Sequence, residues 1–347
     1  MNPYILPIFL FGLGLGTTIT FMSSHWLLAW MGLEINTLAI IPLMAQHHHP
    51  RSVEASTKYF LTQATAAAMI LFASSMNAWM TGQWNINELS HPLPLTIITL
   101  ALALKLGLAP LHTWLPEVLQ GLDLTTGLIM STWQKLAPFA LLTQLTSQHT
   151  TVITTMAIMS TLVGGWGGLN QTQIRKILAY SSIAHLGWMT LVLQYSPSLT
   201  LLTLVTYILM TMAAFNLLKF NKATSIGSLA NSWFKSPVMT ALTPLIMLSL
   251  AGLPPLTGFG PKWMILSELT KQDLAPVATL AALSALLSLY FYLRLSYAMT
   301  LTMSPNITSA TAQWRFKTTQ DTLPLSISAT LTLMLLPILP AMMALAN

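Results

Sequence analysis

The chain has 347 residues, 54% of them apolar and only 6% charged. A soluble domain carries about 25% charged residues, so the composition excludes a soluble globular fold and leaves an all-α polytopic membrane protein. The net charge of +6 is spread over short loops, which reads as topology and not as nucleic-acid binding, and the absence of cysteine excludes disulfides, iron–sulfur clusters and thiolate metal sites within the chain.

The apolar runs are continuous and about twenty residues long, unlike the ten-residue alternation of a membrane barrel. About eleven transmembrane helices are expected, at roughly 3–22, 25–45, 58–80, 93–118, 124–143, 151–171, 177–194, 199–219, 238–267, 275–298 and 323–345. Met1-Asn2-Pro3 leads into the first run without the basic segment of a signal or transit peptide. Gly12, Gly14 and Gly16 follow no strand and so are not a nucleotide fingerprint.

The second span carries Glu34, roughly 14 Å of helix from the nearer end. A carboxylate at that depth is neutral or paired with a cation. His47, His48 and His49 then sit beside Pro50 and Arg51, where successive imidazoles do not surround one metal, so they read as a solvated loop. No metal or cofactor site is expected anywhere in the chain. The fourth span runs LPLTIITLALALKLGLAPLHTWL, with Lys105 roughly 17 Å from either end, beyond the reach of a snorkelling stem. An ionisable group at membrane depth costs about 2.5–3.5 kcal/mol and marks a functional site. Lys105 is the natural partner of Glu34, and pairing would link their protonation states. Pro110 and Pro116 break this span, with His112 inside the break.

Lys135 lies in the fifth span, about eight residues from its nearer end. The sixth carries Gly164-Gly165-Trp166-Gly167-Gly168, small-residue spacing for close helix approach, and the seventh carries His185, a relay or an interhelical contact. The ninth contains LAGLPPLTGFGPKW, in which Pro254, Pro255 and Pro261 break the helix and Lys262 follows. Asn306-Ile307-Thr308 matches a glycosylation sequon but falls on the positively charged side.

With the N-terminus on one side, ten of the 14 Lys and Arg residues fall on that same side, which is the cytoplasm or the mitochondrial matrix. The chain then reads as one membrane domain, 1–347. Its first half is about 1–143 with a broken helix at 93–118, its second about 151–298 with a broken helix at 238–267, and a C-terminal helix follows at 323–345. The breaks lie roughly 145 residues and five spans apart, so the broken helices run in opposite directions, the sign of an inverted-repeat transporter.

Several segments carry a family resemblance: GLEIN at 32–36, KLGLAPLHTWLPE at 105–117, STWQK at 131–135, NQTQIRKILAYSSIAHLG at 170–187 and LPPLTGF at 253–259. The chain resembles the antiporter-like proton-channel subunits of respiratory NADH:quinone oxidoreductase over its whole length. The resemblance implies a fold truncated by three helices at the N-terminus. It also implies a proton path through Glu34, Lys105, Lys135 and Lys262, with His112 and His185 secondary and helix breaks at Pro110, Pro254 and Pro255. It further implies an inner mitochondrial membrane location with the N-terminus in the matrix and the C-terminus in the intermembrane space. FMN, iron–sulfur clusters and quinone would sit in partner subunits, and phospholipid would fill the groove left by the missing helices. Two other readings share the charged axis: a stand-alone cation/proton antiporter, and a scaffold subunit whose buried ion pairs only fix packing.

Overall fold

A computed structural model describes residues 4–46, 49–89, 91–145, 150–234, 237–301 and 322–346. The described residues are almost entirely helical, with two isolated β-bridges and no strand. His47, His48, Lys235, Arg315, Lys317 and the Asn306 sequon lie outside them.

The helices are α1 (Ile5–Met22), α2 (Trp26–Met44), α3 (Pro50–Thr81), α4 (Pro92–Leu106), α5 (Trp114–Gly121), α6 (Leu124–Ser131), α7 (Trp133–Gln144), α8 (Thr150–Gly167), α9 (Ile174–Val192), α10 (Pro197–Asn221), α11 (Ile226–Ala230), α12 (Pro237–Ala251), α13 (Phe259–Lys271), α14 (Ala275–Thr300), α15 (Leu323–Met334) and α16 (Leu339–Ala346). Five of them (α1, α2, α3, α10 and α14) are long and apolar enough to cross a membrane. The bent pair α15–α16 would make a sixth.

The ends of these helices follow from their sequence. His25 and His49 cap α2 and α3, each Nδ1 accepting the backbone N–H two residues on at 3.2 Å, and Pro50 opens α3 where no donor is needed. His49, read as part of a solvated loop, is exposed and serves as this cap. Within the helices threonine and serine turn their hydroxyls back onto carbonyls three or four residues earlier, as Thr17, Thr190 and Thr211 do. This lets an apolar segment hold many hydroxyls without an unsatisfied donor in hydrocarbon.

The chain divides into two compact units, Met1–Ser160 and Thr161–Asn347, each containing one of the proline-marked breaks. In the first, α1 and α2 cross at Gly16 and Gly32: a Cβ on either would come within 3 Å of the other's carbonyl oxygen. The loops before α2 and before α4 are joined by a bridge between His25 and Asn85, and the His25 ring stacks on Trp84 at 5.5 Å. In the second unit, Gly164 rests on the backbone of Ala184 in α9, while Gly168 faces Phe291 of α14. The glycine run thus brings helices together, as its spacing suggests.

Two segments expected as single helices are interrupted. The 124–143 span stops at Thr132 (φ −113°, ψ −68°), where the hydroxyls of Ser131 and Thr132 both bond to the Leu128 carbonyl, at 3.0 and 2.7 Å. The 323–345 span bends by 62°. Pro337 supplies the cause, since it lacks the N–H that would continue the helix.

Candidate proton-transfer site

The site in the first unit is built on two interrupted helices. Lys105 occupies the last turn of α4, which closes at Gly107 (φ +81°). The N–H groups of Gly107 and Leu108 both reach the Ala103 carbonyl, at 2.9 Å, ending the helix in a left-handed cap. Six residues of irregular chain follow, including the cis Ala109–Pro110 bond, before α5 starts at Trp114. Lys135 lies in the first turn of α7, just past the interruption at Thr132. Both lysines are buried, at 7% and 5% exposure.

Lys105 and Lys135 face one small cavity. It offers about 20 Å³ to the centres of water molecules, room for a single water. Among the described residues no atom accepts a hydrogen bond from the Lys105 ammonium. Two other polar atoms on the same wall are buried without a protein partner: Oδ1 of Asn36 (α2) and Nε2 of Gln63 (α3). Gln134, beside Lys135, also lines the cavity and donates to the Asn36 backbone carbonyl at 3.4 Å. A donor, an acceptor and an ammonium therefore converge on a space of water size.

Glu34 sits at the edge of this site and is half-buried. Its Oε2 accepts a hydrogen bond at 3.0 Å from Thr37, one helical turn on and itself in the cavity wall. Glu34 is close enough to act electrostatically on Lys105, yet among the described residues no ion pair within 4 Å joins them. His112 lies in the α4–α5 break, half-buried, its Nδ1 at 3.2 Å from the Pro110 carbonyl. It does not line the cavity.

The second unit has a parallel but different arrangement. α12 ends at Gly252 (φ +84°), the cis Pro254–Pro255 bond follows, and α13 begins at Phe259. Lys262 lies in the first turn of α13 and reaches back, its Nζ donating at 2.6 Å to the Ala251 carbonyl at the end of α12. A cation at a helix C-terminus is favourably placed in the dipole. The same Nζ stands 6.0 Å from the Trp188 ring centre. His185, one turn earlier on α9, donates from Nδ1 to the Ser181 carbonyl at 2.7 Å and lies 5.4 Å from the Tyr207 ring.

Asn36, Thr37, Gln63 and Trp114 belong to the cavity and are not among the residues read from charge alone. Gln63 lies four residues after Tyr59 on the buried face of α3, where the next turns hold alanine and isoleucine. Among the described residues no group of three His, Asp or Glu side chains could hold a metal ion.

Comparison with known proteins gives the same picture at three levels. Residues 23–288 match the family model described as NADH:quinone oxidoreductase/Mrp antiporter, transmembrane, and residues 289–343 match that of the NADH dehydrogenase subunit 2 C-terminus. The NADH-ubiquinone oxidoreductase chain 2 of Tetraodon nigroviridis is 69% identical over the full length of both chains, and that of Gadus morhua 68%. A chain of respiratory complex I from Thermus thermophilus with bound aureothin superposes with a TM-score of 0.84 at 29% identity, covering 99% of this chain and 81% of that one. A chain of the Mrp complex from Dietzia superposes at 0.78 with 17% identity, covering 95% and 72%, a likeness of fold alone.

Proposed function

Because the chain belongs to the NADH:quinone oxidoreductase/Mrp antiporter transmembrane family, we propose that Lys105 and Lys135, with Glu34 at their margin, form the proton path of its first half. The chain is a proton-translocating membrane-arm subunit of respiratory NADH:ubiquinone oxidoreductase, a multi-pass protein of the inner mitochondrial membrane. The reaction's redox chemistry belongs to neighbouring subunits, with their FMN, iron–sulfur clusters and quinone. This chain has no thiolate to ligate a cluster.

One observation carries the reading. The Lys105 ammonium is buried without a protein acceptor, on a water-sized cavity that Lys135 also lines. A cation held only for stability would be paired, because an unpaired buried charge is costly. In this reading Lys105 takes a proton from the matrix side. Movement of Glu34 toward or away from it sets how tightly that proton is held. Water between Asn36, Gln63 and the two lysines passes it to Lys135. The breaks at Pro110 and Thr132 supply the irregular backbone that a hydrated passage needs.

Lys262, and with it His185, serves the far half in the same scheme; His112 stays secondary. A second reading of Lys262 has its own support, since its ammonium already satisfies a helix-end carbonyl and so acts as a structural cap. The bias of Lys and Arg along the sequence supports the reading in which the N-terminal side is the matrix face and the C-terminus lies toward the intermembrane space. Other membrane-arm subunits are the partners. Phospholipid against the exposed Ile8 and Phe11 of α1 completes the surround.

The test is the number of protons moved per NADH oxidised by the intact complex in liposomes, with Lys105→Met. Oxidation and pumping falling together place Lys105 on an obligatorily coupled path. Pumping falling alone places it on a separable channel. Normal values of both in a fully assembled complex remove Lys105 from the mechanism. Flux driven by sodium or potassium without NADH would favour the antiporter reading instead.

A further inference from the structure

We infer that Trp114 is a positioning residue for Lys105: its indole N–H holds the carbonyl end of the broken helix so that the lysine ammonium stays turned to the cavity. The inference rests on the proton-path reading of Lys105.

Trp114 opens α5, and its Nε1 donates at 3.0 Å to the carbonyl of Leu104, the residue before Lys105. The last carbonyls of a helix have no partner within it, and in hydrocarbon each must find one. At the end of α4, Gly107 and Leu108 take the Ala103 carbonyl, and the Leu104 carbonyl accepts from the Gly107 N–H at 3.2 Å and from Trp114 at 3.0 Å. The ring does more than cap. It is buried at 7% exposure, lines the same cavity as Lys105 and Lys135, and packs at 5.8 Å on Tyr59 of α3, also in the wall. Gly107 leaves room for Leu115 beside the ring: a Cβ there would meet Leu115 at 2.9 Å, while Trp114, at 3.6 Å, would be in ordinary contact.

The second unit shows what happens without such a cap. At the corresponding break the ring that opens α13 is Phe259, which has no N–H to give. There the carbonyl matching that of Leu104, Ser249's, keeps the Gly252 N–H at 3.0 Å, and a lysine serves the last carbonyl of the helix: Lys262 donates to Ala251. An ammonium committed to a helix end is not presented to water or to a second lysine. In the first unit the indole satisfies the helix end, and the Lys105 ammonium keeps no protein acceptor. Removing the indole N–H leaves the Leu104 carbonyl with the Gly107 N–H alone, beside a lysine whose ammonium has donors to spare, so that Lys105 can turn from the cavity toward the helix end.

The test uses Trp114→Phe and Trp114→His in the intact complex in liposomes, with Lys105→Met in parallel. Protons per NADH, normalised to assembled complex, are followed across pH. Trp114→Phe lowers the ratio about fivefold, the effect of one typical hydrogen bond on an equilibrium, and displaces its pH profile. Trp114→His, which keeps a ring N–H, lies nearer wild type. A wild-type ratio and profile for Trp114→Phe, or equal defects in both variants, overturns the inference. So does reduced assembly with an unchanged ratio, which marks a packing role. If Trp114→Phe does not assemble, Trp114→Leu, which also lacks a donor, takes its place: a lowered ratio and displaced profile beside a near-wild-type Trp114→His supports the inference, and a wild-type profile overturns it. A normal Lys105→Met complex sinks the proton-path reading itself, whereas an impaired one beside a normal Trp114→Phe sinks only this inference.

Discussion

Three lysines lie in or beside helix breaks, and their surroundings separate them. Lys262 donates to a helix-end carbonyl, whereas Lys105 donates to no protein atom. Replacing Lys262 by Met should therefore leave the Ala251 carbonyl unsatisfied and cost about 1–3 kcal/mol. The expected result is a lower thermal-inactivation temperature of the purified complex, and an unchanged temperature would refute the cap. Lys105→Met removes no bond of this kind, so it should leave thermal inactivation unchanged and act on pumping. Gln63→Leu tests the cavity directly. The substitution deletes a buried donor with no protein partner, so stability should hold or rise, while protons per NADH should fall through loss of the polar wall. A wild-type ratio in that variant would take Gln63 off the path. Charge made the lysines visible in the sequence; Asn36 and Gln63 were not visible, because a buried amide looks like any surface amide until its neighbours are known.

At the scale of elements, the broken helices depend on residues that allow the chain to stop. Gly107 and Gly252 close α4 and α12 at φ +81° and +84°, a conformation that costs a side chain about 1–2 kcal/mol. Gly107→Ala adds contacts with Leu115 and Trp114, so it should impair pumping as well as stability. Gly82 shares the conformation but has open space around it, so Gly82→Ala should show the strain alone. Equal pumping defects at both positions, each read per assembled complex, would show that the break at Gly107 has no special role. The prolines announced the breaks at 110 and 254–255. The interruption at Thr132 had no such mark, because it arises from two hydroxyls converging on the Leu128 carbonyl. A serine–threonine pair is ordinary within these threonine-rich helices. Whether it bends one depends on what the turn packs against.

At the scale of the whole molecule, composition and charge placement already required a polytopic helical membrane protein. So few charges cannot cover a soluble surface of this size. The order of apolar runs and the two proline-marked breaks followed from the same one-dimensional information, since apolar length and proline position mark where helices run and stop. These motifs also placed the chain in its family. Which polar atoms share a cavity was decided only by tertiary structure. Lys105, Lys135, Asn36 and Gln63 come from four helices and meet through side-chain packing. The same holds for the partner each helix-end carbonyl receives: an indole at Leu104 in one unit and an ammonium at Ala251 in the other. Sequence fixes depth along a helix because rise per residue is constant; it does not fix rotation and approach between helices, which depend on how all the side chains in an interface fit at once.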